Sequence, residues 1–265
     1  MNLRSYFSTP RDSPDTWLRR SADSVANLLF PEECVACGAS VSRSRDRFVC
    51  GGCWKKVLDL QIRPPWCPSC GIPYQQWDYD SSHLCGECLL ELPPYSGARS
   101  FGCYTGELRR ITHALKFFGR QNLAGILAPL MASALLSTWD RAEFDLIVPA
   151  PLHPRRARER GFNQAAVLAR PIARLLGIPY DEAVLCRVRE TVPQVGLSDG
   201  ERVLNLRGAF RAVKTGAIAG RRVLLVDDVM TTGATVASAT RALVKGGALR
   251  VSVLTLARTV RGLAE

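Results

Sequence analysis

The chain has 265 residues, of which 47% are hydrophobic, so it can bury one large core or two unequal ones. Its net charge is +11, and residues 96–265 carry the whole excess, with 25 Lys and Arg against 13 Asp and Glu. Such a charge attracts polyanions such as pyrophosphate, phosphorylated sugars or nucleic acid. No apolar run approaches the roughly 20 residues that span a bilayer, and no secretory signal pattern is present, so we expect a cytoplasmic protein without a membrane partner.

Residues 1–30 are predicted to form a polar tail followed by an amphipathic helix. The first 14 residues are rich in Ser, Thr, Pro and Arg and offer little to bury, so we expect disorder there. From Asp15 to Phe30, apolar residues recur every three or four positions, which places them on one face of a helix. We expect this face to dock on the protein's own surface. A helix lying on a membrane is the alternative, but its polar face has little basic excess.

Residues 31–95 are predicted to form a small domain that is held together by metal. Eight of the ten cysteines lie here, in four C-x-x-C pairs. Spacers of 12 residues between the first two pairs and 14 residues between the last two are typical of zinc ribbons. The candidate ligands are Cys34, Cys37, Cys50, Cys53, Cys67, Cys70, Cys85 and Cys88.

Four thiolates complete the coordination of a zinc ion, so we expect one or two structural zinc ions that take no part in catalysis. The cytoplasm keeps thiols reduced, which favours metal ligation over disulfides. A redox role is the alternative, but four C-x-x-C pairs in tandem are untypical of it. The pairing of the four motifs remains open at this point.

Residues 96–265 are predicted to form an α/β domain. The sequence predicts strands at 100–104, 144–148, 221–226 and 250–256, and helices at 108–118, 122–137, 163–176 and 235–245. This alternation indicates a mainly parallel sheet with helices on both faces. The segment 185–210 is polar and rich in turn residues, so we expect a pair of strands joined by a long mobile loop.

The strongest candidate site is the segment 223–235, with the sequence VLLVDDVMTTGAT. An apolar strand is predicted to end at Asp227 and Asp228, and open parallel sheets bind ligands beyond the carboxyl ends of their strands. The loop that follows offers hydroxyl groups and, around Gly233, backbone amides at the start of a helix, which suits a phosphate. Neighbouring acids suit ribose hydroxyls or Mg²⁺. A plain strand-turn-helix joint is the alternative. Walker and dinucleotide sites are disfavoured because the chain lacks their glycine motifs.

This segment resembles the motif with which type I phosphoribosyltransferases bind phosphoribosyl pyrophosphate (PRPP). Four further stretches, at residues 111–116, 148–152, 160–164 and 191–194, resemble the ComF competence family, a branch of those proteins. The likeness extends from about Pro31 to Leu256. It implies the type I phosphoribosyltransferase fold, preceded by a small zinc-ribbon domain.

The resemblance also implies roles for individual residues. Asp227 and Asp228 would hold the ribose 2- and 3-hydroxyl groups. Arg160 would contact the departing pyrophosphate, and Lys116 would reach the same anion or simply lie at a helix C-terminus. The 5-phosphate would bind the loop formed by Met230, Thr231, Thr232, Gly233, Ala234 and Thr235. Other predicted contacts are Arg155, Arg156 and Arg158 in a pyrophosphate loop, and Arg187, Arg189, Thr191 and Gln194 in a hood over the substrate.

The implied activity is transfer of phosphoribosyl from PRPP, bound with Mg²⁺, to an acceptor that the sequence does not identify. Two alternatives remain open. One is a non-enzymatic competence factor that binds single-stranded DNA and works with other proteins of DNA uptake; the other is a sensor of PRPP or a nucleotide. The basic charge of residues 96–265 fits DNA binding, but the aromatic residues show no stacking pattern.

Overall fold

The computed structural model describes residues 32–41, 48–74, 83–117, 119–189, 206, 208–260 and 262. The predicted tail and helix of residues 1–30 lie outside these residues. The chain divides into two compact units between Trp54 and Lys55. The predicted domain boundary after residue 95 stays a prediction.

In the first unit, a short hairpin holds the first C-x-x-C pair. Strands β1 (Glu32–Glu33) and β2 (Ser40–Val41) are antiparallel, and Glu32 lies opposite Val41. Between them the chain turns tightly, because the amide of Gly38 donates to the carbonyl of Cys34 over 2.8 Å. Helix α1 (Gly51–Asp59), which the sequence analysis did not predict, begins just after Cys50.

The second unit is built on a parallel sheet of four strands in the order β3-β8-β7-β4. Its strands are β3 (Gly97–Cys103), β4 (Leu146–Pro149), β7 (Arg222–Met230) and β8 (Arg250–Arg258). Almost every residue of these strands is buried, as expected of a sheet that is covered on both faces. The predicted parallel α/β architecture is therefore confirmed.

Helices pack on both faces of this sheet. Among its described residues, the second unit has helices α2 (Gly86–Leu90), α3 (Gly106–Phe117), α4 (Leu123–Leu136), α5 (Pro154–Arg160), α6 (Gln164–Leu176) and α7 (Ala234–Lys245). Helices α4 and α6 pack on each other and on the sheet. Val223 and Leu225 share a hydrophobic cluster with Leu243 of α7. Because side chains alternate along a strand, Leu224 faces the opposite side.

Both edges of the sheet are covered by neighbouring chain. At the β3 edge, the amide of Ile62 donates to Phe101 over 2.8 Å, and the amide of Cys103 donates to Leu60 over 2.9 Å. At the β4 edge, the amide of Ile147 donates to Pro179 over 2.8 Å. These contacts satisfy backbone groups that an open edge would expose to pairing with another chain.

The segment 185–212 forms the predicted strand pair. Strand β5 (Leu185–Arg187) is antiparallel to β6 (Phe210–Ala212). Most of the predicted loop between them, including Thr191 and Gln194, lies outside the described residues.

Two elements differ from the sequence-based expectation. Strand β7 continues to Met230 instead of ending at Val226, because its pairing with β8 extends to the pair Met230 and Arg258. The predicted pyrophosphate loop contains helix α5, which starts at Pro154 and ends at Arg160, where Gly161 follows in the left-handed conformation. Its charged sequence has no apolar periodicity, so it carried no helical signal.

Gly71, directly after Cys70, lies against the sheet. It has a φ of 73°, and a Cβ built on it would lie 2.3 Å from the carbonyl oxygen of Ala98 in β3. Gly119 has a similar φ of 62° but no atom within 4 Å of its Cβ position. Both glycines therefore have a left-handed backbone conformation, but only Gly71 packs closely against another part of the backbone.

We expect Gly71→Ala to lower the free energy of unfolding by about 3 kcal/mol, because it adds a backbone clash to the conformational cost. The control Gly119→Ala should lower it by about 1 kcal/mol, which is the conformational cost alone. Urea denaturation measures both values. Equal losses would show that the close approach of Gly71 to β3 is unimportant for stability.

Candidate functional site

A cleft of about 460 Å³ opens at the carboxyl ends of β4 and β7. Most of the predicted site residues line it, namely Lys116, Arg160, Asp227, Asp228, Met230, Thr231, Gly233 and Thr235. They come from four separate elements, and the parallel sheet brings them together because its strand ends share one edge.

The two acids lie in the C-terminal half of the buried strand β7. Backbone amides hold their carboxylates in place. The amide of Asp228 donates to Oδ1 of Asp227 over 2.9 Å, and the amide of Val229 donates to Oδ1 of Asp228 over 2.7 Å. Burial and the charge of Asp228 raise the pKa of Asp227 to about 7. Keeping both acids charged therefore costs free energy, which would not be the case for two acids in an exposed turn.

A lysine partly compensates this negative charge. Nζ of Lys116, in the last turn of α3, lies 3.0 Å from Oδ2 of Asp228. Burial by itself lowers the pKa of Lys116, but the charge and hydrogen bond of Asp228 raise it above its usual value. Lys116 is therefore a charged ammonium group inside the cleft.

Three arginines add positive charge on the side of α5 and β5. Arg156 and Arg160 line the cleft together, because residues four apart lie on one face of a helix. Arg155 instead pairs with Glu159 over 3.0 Å on the exposed side of the helix. Arg187 lines the cleft from β5, with its guanidinium 5.4 Å from the ring centre of Phe210.

These arginines are held in spite of their mutual repulsion. Burial lowers the pKa of Arg187, and the charge of Arg156 lowers it further. Burial also lowers the pKa of Arg160, with the charge of Arg156 acting in the same direction. An anion bound between these groups would relieve the repulsion, so the cleft is electrostatically suited to a polyanion.

The loop between β7 and α7 forms one wall of the cleft. Gly233 has a φ of 79° and precedes the first residue of the twelve-residue helix α7. Thr231 and Thr235 line the cleft, so a ligand there would meet hydroxyl groups beside the backbone amides of a helix N-terminus.

Two of the predicted loop residues face a different cavity. Thr232 and Ala234 line a neighbouring space of about 690 Å³, which is bounded by Tyr95, Cys70 and Cys88. Met230, Thr231 and Gly233 line both spaces, so this loop is the wall between them. Of the loop residues, Thr235 lines only the cleft, whereas Thr232 and Ala234 line only the neighbouring space.

Sequence reasoning missed Tyr104, which lines the cleft just after β3. Nothing in the local sequence marks it, because only the sheet order brings the end of β3 near β7. Asn163 had a signal, since it precedes a helix. Its side chain accepts from the amide of Ala165 over 3.1 Å and donates to the carbonyl of Ala150 over 3.0 Å, which ties α6 to the chain after β4.

The eight predicted ligand cysteines form two tetrads of sequential pairs. Within each tetrad all sulfur atoms lie within 4.8 Å of one another, and the members are Cys34, Cys37, Cys50 and Cys53, then Cys67, Cys70, Cys85 and Cys88. The sulfurs of Cys37 and Cys50 are 3.7 Å apart, and those of Cys70 and Cys85 are 3.6 Å apart. Tetrahedral zinc with thiolates predicts about 3.8 Å, so both tetrads fit structural zinc.

Matching amide hydrogen bonds support the two tetrads. The amide of Cys50 donates to Sγ of Cys34 over 3.3 Å, and the amide of Cys85 donates to Sγ of Cys67 over 3.4 Å. Such donors stabilise the thiolate that zinc requires. The equivalent bonds show that the two tetrads use one local design.

Arginines of the parallel sheet contact the chain around the second tetrad. Arg258 of β8 is only 4% exposed, and its guanidinium donates to the carbonyl of Cys70. Arg99 of β3 donates to the carbonyl of Pro68 over 3.2 Å and to Thr138 over 3.1 Å. Its guanidinium also lies 5.2 Å from the ring centre of Trp66, on the ribbon side.

Two family models match the chain. The double zinc ribbon domain matches residues 25–97, and the phosphoribosyl transferase domain matches residues 163–264. The DNA utilization protein YhgH of Salmonella typhimurium is 37% identical over 88% of this chain and 100% of its own length. Competence protein F of Haemophilus influenzae is 33% identical over 87% of this chain and 98% of its own. The chain belongs to the ComF competence family.

A more distant ComF relative, competence protein ComFC of Bacillus subtilis, is 30% identical over 81% of this chain and 85% of its own. Among solved structures, the glutamine PRPP amidotransferase of B. subtilis aligns with 54% of this chain and with 30% of the amidotransferase chain. The aligned residues are 23% identical, and the TM-score is 0.36. In the described part of this ComF protein, no helix is long and apolar enough to cross a membrane.

Asp227→Asn should stabilise the protein near pH 8, raising the melting temperature by about 3 °C or more, with a clearly smaller gain near pH 5. The folded protein holds a proton on Asp227 up to about pH 7, whereas the unfolded chain releases it near the usual pKa. Stability therefore falls as pH rises between these values, and the variant escapes this loss. Differential scanning calorimetry at both pH values measures the effect.

The control for this prediction is Asp145→Asn. Hydrogen bonds from Arg222 lower the pKa of Asp145, so its charge is favoured by the fold and its removal should lower the melting temperature. A melting temperature of Asp227→Asn below the wild-type value near pH 8 would contradict the assignment of Asp227 as an unfavourably buried acid.

Cys67→Ser and Cys34→Ser should each remove one zinc ion per chain, as measured by mass spectrometry of the metal. Only Cys67→Ser should also lower the melting temperature of the α/β unit, because the second tetrad is hydrogen-bonded to β8 through Arg258. Equal destabilisation by both changes would argue against this difference.

Proposed function

We propose that this ComF protein binds PRPP or a related ribose phosphate in the cleft and transfers its phosphoribosyl group to an acceptor. The acceptor nucleophile forms a bond to C1 of the ribose. The bond from C1 to pyrophosphate breaks, and pyrophosphate leaves with both electrons. The observation that carries the proposal is the meeting of two acids, four cationic side chains and a helix N-terminus in one cleft.

Each part of the cleft has a role in this reaction. Asp227 and Asp228 accept hydrogen bonds from the ribose hydroxyl groups, and the loop 230–235 with the start of α7 binds the 5-phosphate. Arg156, Arg160 and Arg187 neutralise the pyrophosphate as negative charge develops on it. Lys116 lies between these two regions, next to Asp228.

Mg²⁺ accompanies PRPP in the proposed reaction. The pyrophosphate oxygens of the substrate are the ligands that carry it, since Mg²⁺ commonly binds through substrate phosphates and keeps several waters. The chemistry that the metal supplies is neutralisation of the leaving group.

A sensor that binds ribose phosphate without turnover would use the same contacts. Release of pyrophosphate separates the two proposals, because only the enzyme produces it. Pooled nucleobases are the first acceptors to test, since they are the commonest nucleophiles that fit a reaction at ribose C1.

Binding of single-stranded DNA is a second candidate function. The Salmonella relative is named for DNA utilization, and the Haemophilus and Bacillus relatives are named for competence. The excess of 12 positive charges in residues 96–265 supports contacts to a phosphate backbone. In this role the protein would work in the cytoplasm with other proteins of DNA uptake.

We expect the wild-type protein to bind PRPP in isothermal titration calorimetry with a Kd below about 1 mM, and Asp228→Asn to weaken binding at least tenfold. The variant loses a charged acceptor for the ribose hydroxyls and the partner of Lys116. Asp145→Asn is the matched control outside the cleft and should bind PRPP like the wild type. Absence of wild-type binding would refute the ribose-phosphate proposal.

The same two variants test the DNA proposal. Fluorescence anisotropy with a single-stranded oligonucleotide should show affinity that falls steeply with salt and changes little in Asp228→Asn. An equal loss of PRPP and DNA affinity in that variant would indicate one shared site.

A further inference from the structure

Near the end of β7, each carboxylate oxygen of Asp228 already has a partner. One oxygen of Asp228 faces Nζ of Lys116 at 3.0 Å, and the other accepts from the amide of Val229 over 2.7 Å. One oxygen of Asp227 accepts from the amide of Asp228. A Mg²⁺ ion bound directly by Asp228 would have to displace the lysine.

The contact between Lys116 and Asp228 is shielded from water. Their side chains are 19% and 11% exposed. Charges this well buried attract each other more strongly than surface pairs, and removing one partner leaves the other buried without compensation. Displacement of Lys116 by a metal is therefore unfavourable.

The positive charge around the acids also disfavours a metal ion there. Arg160 interacts electrostatically with Asp228, and Arg187 interacts with Asp227. With Lys116 and Arg156, four cationic side chains line the cleft that holds these two acids. A divalent cation at the acids would add repulsion to a cleft that already carries excess positive charge.

We propose that Lys116 takes the place of a divalent cation at the acid pair, so that the ribose phosphate itself binds without Mg²⁺. An ammonium group has three N–H donors, and one of those on Lys116 is directed at Asp228. The other two N–H groups can donate to ribose oxygens, while Asp228 holds the end of the lysine side chain in place. This inference rests on the proposed ribose-phosphate site and concerns how that site is neutralised.

Ribose 5-phosphate is the probe of choice, because it has no pyrophosphate to carry Mg²⁺ into the cleft. Calorimetric titration of the zinc-loaded protein, in buffer freed of Mg²⁺ and in millimolar Mg²⁺, should give wild-type Kd values within about threefold of each other. Lys116→Met should lose at least about tenfold in affinity without Mg²⁺ and recover part of this loss when Mg²⁺ is added. Lys116→Arg should keep binding without Mg²⁺, because it retains the charge.

Lys214→Ala is the control for loss of a lysine from an ion pair. Lys214 pairs with Asp181 over 3.0 Å outside the cleft, so ribose 5-phosphate binding should be unchanged. A lysine that serves only the stability of the fold would lower the melting temperature without making binding depend on metal.

Titration of Mn²⁺ into the ligand-free protein, followed by electron paramagnetic resonance, provides a test that needs no variant. We expect no Mn²⁺ bound at the acids of the wild type. Bound Mn²⁺ that Asp228→Asn abolishes, or ribose 5-phosphate binding only with Mg²⁺, would overturn the inference and leave the proposed function standing. No binding of ribose 5-phosphate or PRPP under either condition would overturn both.

Discussion

Two adjacent carboxylates at the end of a buried central strand impose the main constraint on this protein. Strand β7 has a neighbouring strand on each side. Residues of α3, α5 and α7 also surround its C-terminal end. Charge buried there needs compensation, and Lys116 supplies it from α3. The arginines of α5 and β5 then exceed what the acids require. This excess makes the cleft suitable for a ligand that brings its own negative charge.

The second cysteine tetrad is connected to the same region through the sheet. Arg258 lies opposite Met230 in the pairing of β7 and β8, and its side chain reaches the carbonyl of Cys70. The loop that begins at Met230 therefore has the ligand cleft on one side and the cavity next to the tetrad on the other. The second tetrad is thus linked to the sheet beside this loop through Arg258, while the cavity separates it from the loop itself.

Membership of the ComF family and the geometry of the cleft describe different aspects of function. The relatives are named for DNA utilization and competence, which concern a cellular process. The cleft has the size and charge for a phosphorylated small molecule. A basic α/β unit can serve both purposes, because DNA binding through charge needs a broad surface whereas ribose-phosphate binding needs the enclosed acids.

The sequence by itself determined the parallel sheet, the spacing of the zinc ligands and the position of Asp227 and Asp228, because each is written in a local pattern of a few residues. It did not predict α1, which is only nine residues long, or α5, which is short and highly charged. Only the tertiary structure decided that the cysteine pairs combine sequentially, that Tyr104 lines the cleft and that Lys116 pairs with Asp228. These relations join residues far apart in the chain, and the order of strands in the sheet brings them together.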